Sequence, residues 1–498
     1  MLLPQSLAAA DARVIADGLP PLALMDRAAD AVVRVVRGRY ARRPVSVVCG
    51  PGQNGGDGWA VAHKLALLGW DVALHAAVGP DRLEGAARQA ADRYGGAALG
   101  LSGLDVSEGR LILDALFGAG LARDLTGGAL AAVRAMDGGA APILAIDLPS
   151  GVDGATGRVR GHAARADATV TFHRPKPGHL LQPGGALTGR LFVADIGLAD
   201  DAEPDARRAH ARLFPLPRPG PATHKYARGS VVVASGGHAR AGAARLAANA
   251  AARAGAGAVT LASPTSALDV NARACDAVMV TRMGEGAGLA RMVAERGGAA
   301  VLGPGMGRSG GRTGGQMEAT RDRVQSVLSM GTPTVLDADA LTVFEDDPDT
   351  LFALTHGACV LTPHEGEFAR LFGESDAPSK LDRARAAADR AGCTVLLKGA
   401  DTVIASPGTG SGASPGAVPV ICDHGPPWLA TAGSGDALAG TIGALLAQGM
   451  DAHRGAAMGA WLHAEAGRLG GPSVTADDLA RLIGQARAAV LSAQSVGA

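Results

Sequence analysis

The sequence predicts an α/β protein of two domains, each a three-layer sandwich in which helices cover both faces of a mostly parallel sheet. Three observations predict it. Short, continuous apolar runs alternate with longer helical patterns along nearly the whole chain, the rhythm of buried parallel strands joined by crossover helices. Several of these runs end in glycine-rich turns that open a helix. One acidic and proline-rich break interrupts the rhythm near the middle.

The elements follow in order. Two helical patterns open the chain, near 6–18 and 22–38. VSVVC (45–49), VALHAAV (72–78), LILDALF (111–117), ILAIDL (143–148), TVTF (169–172) and LFVADI (191–196) read as buried strands, with helical patterns at 57–69, 82–94 and 128–136 between the first four. ADDAEPDA (199–206) and four prolines from Pro215 to Pro221 mark a linker at 213–223, between domains at 1–212 and 224–498. A second series begins with VVVAS (231–235) and continues with VTLAS (259–263), AVLG (300–303), TVLDA (334–338), CVLTP (359–363) and TVLLK (394–398). Gly408–Gly416 reads as a flexible loop between two edge strands. The two series show no mutual repeat in sequence.

Composition removes several function classes. Lys+Arg (47) balances Asp+Glu (47) and aromatics are 3%, so the chain offers neither a basic field nor stacking platforms for nucleic acid or an acidic membrane. Five cysteines stand singly, without the paired spacing of zinc sites or a disulfide framework, which suits a reducing compartment. The opening residues lack a basic stretch and carry Asp11, and no apolar run reaches membrane-spanning length, so a soluble cytoplasmic protein is expected. Only five of the 47 basic residues are lysines: Lys64, Lys176, Lys225, Lys380 and Lys398. Where arginine dominates this strongly, a retained lysine marks a position worth following. Lys64 and Lys380 fall on helical patterns and read as surface residues.

The strand at 45–49 runs into Gly50-Pro51-Gly52-Gln53-Asn54-Gly55-Gly56-Asp57-Gly58, a backbone N–H cradle at a helix start. Gly50, Gly52 and Gly55 satisfy GxGxxG, but the acid at Asp71 opens the next strand instead of closing it, and Asp57 would set a carboxylate among phosphates. The loop therefore suits mixed contacts: phosphate on the amides, and a cation or hydroxyl on Asn54 or Asp57. Asp114 and Asp147-Leu148-Pro149-Ser150 close two further strands. In a sheet of this kind ligands bind beyond the carboxyl ends of strands, and oxygen-only donors there suit K⁺, Na⁺ or Mg²⁺.

LMDRAA (24–29), GPGQNGGDG (50–58), DALFGAGLARDLTGG (114–128), DLPSGVDGATG (147–157) and TFHRPKPG (171–178) resemble the YjeF N-terminal domain, a Rossmann-like NAD(P)H-hydrate epimerase. The resemblance implies that Gln53, Asn54, Gly55, Gly56 and Asp57 contact the hydrated nucleotide. It implies the same for Gly118, Ala119, Gly120, Leu121, Ala122, Arg123, Asp124 and Asp147, and it gives Asn54, Asp114 and Ser150 to K⁺. Gln53 departs from the family's asparagine. Asp147 is the candidate for proton handling at C6.

In the second half, Ala432-Gly433-Ser434-Gly435-Asp436 opens a helical pattern at 436–448. Its amides would form an anion hole for a transferring phosphoryl group, and Asp436 could accept a hydroxyl proton. HKYARG (224–229), GAARLAANAAARAGAG (242–257), GPGMG (303–307), DADAL (337–341), TPHEGE (362–367), KGADT (398–402) and AGSGD (432–436) resemble the ribokinase-like YjeF C-terminal domain, an NAD(P)H-hydrate dehydratase. That resemblance implies an ADP- or ATP-dependent dehydration of the S hydrate, with Mg²⁺ and, in bacterial fusions, ADP. It places Ala243, Gly305 or Gly307, His364 and Asp436 on the hydrate, and Lys398, Gly399, Ala400, Asp401, Thr402 and Gly435 on the adenine nucleotide. It also implies a homo-oligomer, with NADH hydrate, NADPH hydrate and ADP as the small-molecule partners. Lys225 and Lys398 are expected to border this second site. Three readings compete: a ribokinase-like small-molecule kinase with an accessory nucleotide-binding domain, an NAD-dependent oxidoreductase using the first loop, and a non-catalytic nucleotide sensor.

Overall fold

The computed structural model describes residues 1–307, 315–408 and 418–495. The chain divides into two compact units, Met1–Ala206 and Arg207–Ala498.

The first unit is built on seven strands: β1 (Val45–Cys49), β2 (Val72–Ala76), β3 (Ala98–Gly100), β4 (Leu111–Ala115), β5 (Ile143–Ile146), β6 (Ala168–Phe172) and β7 (Arg190–Ala194). All pair in parallel, in the order β3-β2-β1-β4-β5-β6-β7. The pleat sends alternate side chains to opposite faces. Val45, Val47, Leu111, Leu113 and Leu144 pack with helices Pro21–Arg39, Gln53–Leu67 and Gly85–Tyr94. Val48, Ile112 and Ala145 pack with helix Gly127–Gly138. The connections after β1 and β4 thus leave on opposite faces and open a crevice between these neighbouring strands, the place where such sheets bind ligands.

The second unit carries β8 (Arg207–Arg208), β9 (Ser230–Ala234), β10 (Ala258–Ser263), β11 (Met279–Arg282), β12 (Ala299–Leu302), β13 (Thr334–Leu336), β14 (Cys359–Leu361), β15 (Thr394–Leu397), β16 (Thr402–Ala405) and β17 (Val420–Cys422). Their order is β11-β10-β9-β12-β13-β14-β15-β16-β17-β8. The run from β11 to β15 is parallel, and β16 is antiparallel to both of its neighbours. Val231, Val233, Val301, Val335 and Leu396 share a core with helices Ala241–Arg253, Ser434–Ala447, Ala452–Gly470 and Ala476–Ser495.

Several sequence expectations change. Strands β3, β8 and β11 were not foreseen: they are two to four residues long, and Ala98, Leu99 and Met279 are exposed, so no buried apolar run announces them. Residues 213–216 are not free linker, because Phe214 and Leu216 are buried in the second unit's core and β8 pairs with β17. The division therefore falls after Ala206, ahead of the prolines. Of the expected loop at Gly408–Gly416, all but Gly408 lies outside the described residues; β16 and β17 flank it as antiparallel neighbours, and β8, not β17, forms the edge.

Candidate active sites

In the first unit the ends of β1, β4 and β5 meet over a tight backbone approach. A Cβ on Gly50 would lie 1.7 Å from the Leu116 carbonyl oxygen, so only glycine lets the loop after β1 close on the loop after β4. Gln53 to Asp57 form the first turn and a half of helix Gln53–Leu67 and are not a free loop. The Asn54 amide, oriented to satisfy both neighbours, donates to the Ile146 carbonyl (3.1 Å) and accepts from the Gly118 amide (3.2 Å). The Ser150 hydroxyl accepts from the Phe117 amide (2.9 Å) and donates to Asp114 Oδ1 (2.5 Å). Asn54, Asp114 and Ser150 therefore converge at one point of the sheet edge. Asp114 is buried, its oxygens meet Ser150 and the Leu116 amide, and no cationic side chain pairs with it among the described residues. Burial holds its carboxyl above the usual range, against the opposing hydrogen bonds of Ser150 and Leu116.

Asp147 sits one residue past β5 at φ 68°, a conformation costly for a non-glycine residue. Its Oδ1 accepts from Lys176 Nζ (2.6 Å) and Thr171 Oγ1 (3.0 Å), and its Oδ2 accepts from the Ala119 amide (2.8 Å). Lys176 is fully buried and also donates to Thr171 (2.8 Å). Beneath it His179 accepts the Lys176 amide at Nδ1 (3.0 Å), which leaves Nε2–H to donate to the Asp147 carbonyl (2.7 Å). Burial and the Lys176 ammonium lower the His179 pKa to about 4, so the imidazole stays neutral. Burial alone would raise the Asp147 carboxyl, but the Lys176 ammonium outweighs it and holds the group below the usual carboxylate range. Of the loop 118–124, Gly118 and Ala119 face this cluster and Leu121 is buried in the core; Gly120, Ala122, Arg123 and Asp124 are exposed. Asp11, on helix Pro4–Ala16, is a member the sequence did not reveal: its carboxyl is raised by burial and interacts with both Lys176 and Asp147.

In the second unit the ends of β9, β12, β13, β14 and β15 bring together most of the predicted set. A Cβ on Gly305 would lie 3.3 Å from the Ala243 side chain, so these two positions touch across the β9–β12 crevice. The Gly307 amide donates to Asp339 Oδ2 (2.8 Å). Ala338, between Asp337 and Asp339, takes φ 46°. Lys398 Nζ donates to Asp337 Oδ1 (2.7 Å) and lies 3.7 Å from Glu367, while Thr362 Oγ1 donates to the same Asp337 oxygen (2.8 Å). Asp436 stands in the first turn of helix Ser434–Ala447. Its carboxyl is pushed up to about 7, first by burial and then by Asp337, Asp339 and Glu367, with Lys398 opposing. Ser434, inside the anion-hole turn, hydrogen-bonds the buried His463 Nε2 (2.9 Å). His463 was not anticipated, since a histidine in mid-helix carries no local signal.

The KGADT turn is held by contacts within the protein. Lys398 is turned inward to Asp337, and Asp401 is buried against Lys380 Nζ (2.8 Å). Thr402 Oγ1 closes the turn on Gly399 (2.9 and 3.2 Å), leaving Gly399 and Ala400 exposed. Lys380 is thereby a buried ion-pair partner and not a surface residue, because its ammonium also reaches the Lys398 carbonyl (3.1 Å). His364 caps helix Glu365–Phe372 through Nδ1, leaving much of its ring exposed. Lys225 does not border this site. Its segment enters β9 at the amino end, where Gly229 packs on Ala447 at the far end of the helix that Asp436 begins.

A family profile described as YjeF-related protein N-terminus matches residues 21–178, and one described as NAD(P)H-hydrate dehydratase matches 231–485. Three relatives are named bifunctional NAD(P)H-hydrate repair enzyme. That of Moorella thermoacetica is 36% identical and covers 90% of this chain and 88% of its own. That of Synechocystis is 35% identical over 91% and 87%, and that of Escherichia coli 34% over 93% and 88%. A solved ribokinase-like superfamily protein from Enterococcus faecalis, 21% identical, aligns with 57% of this chain and 96% of its own at a TM-score of 0.47. With both halves matched in order and such identity along nearly its whole length, the chain belongs to the family of bifunctional NAD(P)H-hydrate repair enzymes.

Proposed function

We propose that the first unit interconverts the R and S hydrates of NADH and NADPH, and that the second returns the S form to NAD(P)H with ADP as phosphoryl donor. The observation that carries the reading is the set around Asp436: a carboxylate at a helix N-terminus beside the Gly433–Gly435 amides, with one ammonium, Lys398, among four carboxylates. Hydroxide is a poor leaving group from C6 of the hydrate. Asp436 takes the C6 hydroxyl proton as the oxygen attacks the phosphoryl group, and the amides stabilise the transferring charge. The ring nitrogen's lone pair then expels phosphate, giving a C6=N1 iminium, and loss of a C5 proton returns that pair to nitrogen and restores the C5=C6 double bond. Lys398, held by Asp337, faces Gly435 and sets the charge of this pocket.

Mg²⁺ would offset the nucleotide's phosphates. Among the described residues no group of three or more His, Cys, Asp or Glu forms a ready metal cage, which suits an ion held chiefly by phosphate oxygens. In the first unit the buried Asp114 carboxylate, bonded only by neutral groups, fits K⁺ together with Asn54 and Ser150. Gln53, Asn54, Gly118 and Asp57 would line the hydrate there, with Asp147 as the group that accepts the C6 hydroxyl proton.

The test is a pair of substitutions. Asp436→Asn should lower S-hydrate dehydration by about 10²–10⁴-fold while R/S exchange continues, and Asp147→Asn should do the reverse. Loss of both activities in either variant would contradict the division of labour.

A further inference from the structure

We propose that Lys380 positions the turn at 398–402 and so sets the second unit's affinity for ADP, a task that arginine cannot take over. The inference rests on the dehydratase reading above, which places ADP on that turn, and it adds a residue from outside the motif.

The turn joins β15 to β16 and is held at several points. At its start the Lys398 amide donates to the Pro363 carbonyl (2.8 Å), and Lys398 Nζ donates to Asp337 Oδ1 (2.7 Å). Within it, Thr402 Oγ1 donates to the Gly399 carbonyl (2.9 Å) and accepts from the Gly399 amide (3.2 Å). The remaining polar groups are gathered from outside by Lys380. Its Nζ donates to the Lys398 carbonyl (3.1 Å) and to the buried Asp401 at Oδ1 (2.8 Å), and it lies 3.5 Å from Glu365 Oε1. Arg383 in turn holds Glu365 at both oxygens, at 2.9 Å each. One ammonium thus ties the two ends of the turn to each other and to the start of helix Glu365–Phe372. The exposed backbone of Gly399 and Ala400 is the face left for a ligand.

The fold explains how a residue 18 positions away in sequence reaches this turn. The Ser379 hydroxyl accepts the Asp382 amide (3.1 Å) and starts helix Lys380–Ala391 at Lys380. That helix is the crossover between the parallel strands β14 and β15. A crossover helix runs opposite to the strand that follows it, so its first residue lies over that strand's carboxyl end, where the turn begins.

The space allows a lysine and no more. A Cβ on Gly399 would fall on Lys380 Nζ, and the Gly399 backbone is not left-handed, so its conformation does not require glycine. The missing side chain is the room that the ammonium occupies. A guanidinium is broader and planar, so it would press on Gly399 while still pairing with Asp401. Loss of the Lys380 charge would take a cation from behind a turn that receives an anion, and would free the Lys398–Gly399 peptide to rotate.

The experiment measures S-hydrate dehydration by the full chain at varied ADP, for wild type, Lys380→Met and Lys380→Arg, with R/S exchange and melting temperatures as controls. KM for ADP should rise about 10–100-fold in both variants. KM for the hydrate, kcat at saturating ADP and R/S exchange should change little, because Lys398 and Asp436 keep their own contacts. Lys380→Arg should also keep the melting temperature of wild type. A wild-type KM for ADP in either variant overturns the assignment. So does a loss in Lys380→Arg spread equally over kcat and both KM values, since that marks a purely structural role. If Lys380→Met does not fold, Lys380→Arg decides between the same outcomes. If wild type itself does not dehydrate the S hydrate with ADP, the dehydratase reading falls and the assignment falls with it.

Discussion

At the residue scale, the proposed role of Asp436 as the proton acceptor ties the second site's activity to the protonation of its carboxyl. Its carboxyl is pushed up to about 7, and only the ionised form accepts a proton. The kcat/KM for S-hydrate dehydration should therefore rise about tenfold per pH unit below about 7 and level off above it. Asp337 is the largest charged contributor to that elevation, after burial. Asp337→Asn should move the acidic limb to lower pH, which pH–rate profiles of the two proteins would show; an unmoved limb would assign the elevation elsewhere. Individual candidate residues were legible where a loop motif held them, as with Asn54, Asp114, Asp147 and Asp436. They were not legible where the partner is distant in sequence. Nothing near Lys380 announces Asp401, nothing near Lys176 announces Asp147, and Asp11 belongs to a helix whose local pattern shows only amphipathicity. The scarcity of lysine pointed at three ion-pair members of the two clusters, the buried Lys176 and the half-buried Lys380 and Lys398, and equally at Lys64 and Lys225, which lie elsewhere.

At the element scale, the glycine turns separate structural from functional need. A Cβ on Gly50 would strike the Leu116 carbonyl at 1.7 Å, so Gly50→Ala should lower the melting temperature of the first unit and its activity together. A Cβ on Gly435 would meet only Lys398 Nζ at 3.5 Å and Asp337 Oδ2 at 3.8 Å, ordinary contact distances. Gly435→Ala should therefore keep its melting temperature and lose dehydration, because the methyl enters the space of the phosphoryl group. The buried pair Ser434–His463 ties helix Ala452–Gly470 to that turn. Burial depresses the His463 pKa to about 4, below its unfolded value of about 6.5. The unfolded chain then binds more protons between these values, so stability present above about pH 6.5 is lost as pH falls toward 4, by about 1.4 kcal/mol per pH unit for this group. His463→Gln should make that loss shallower in melts at pH 7 and 5. Strands were legible where both faces are buried, as in β1, β4, β9 and β12, and illegible in short exposed edges such as β3 and β8. An edge strand is made by its neighbour's hydrogen bonds more than by its own side chains.

At the scale of the whole molecule, two units without sequence repeat use one arrangement. The order β3-β2-β1-β4-β5-β6-β7 recurs as β11-β10-β9-β12-β13-β14-β15, and each crevice, β1–β4 or β9–β12, gathers that unit's glycine turns and aspartates. The alternating pattern made both sheets legible. Their extent was less so, because Phe214 and Leu216 join the second core from within a proline-rich stretch that reads as linker. Equal numbers of acidic and basic residues fit dinucleotides held by local loops. Both activities together are read by recovery of reduced-nicotinamide absorbance from a mixture of R and S NADH hydrates given ADP, Mg²⁺ and K⁺. Full recovery is expected, at a rate for the R fraction faster than spontaneous exchange. Prompt recovery of the S fraction alone would contradict the epimerase assignment, and a stable phosphorylated product without recovery would contradict the repair function itself.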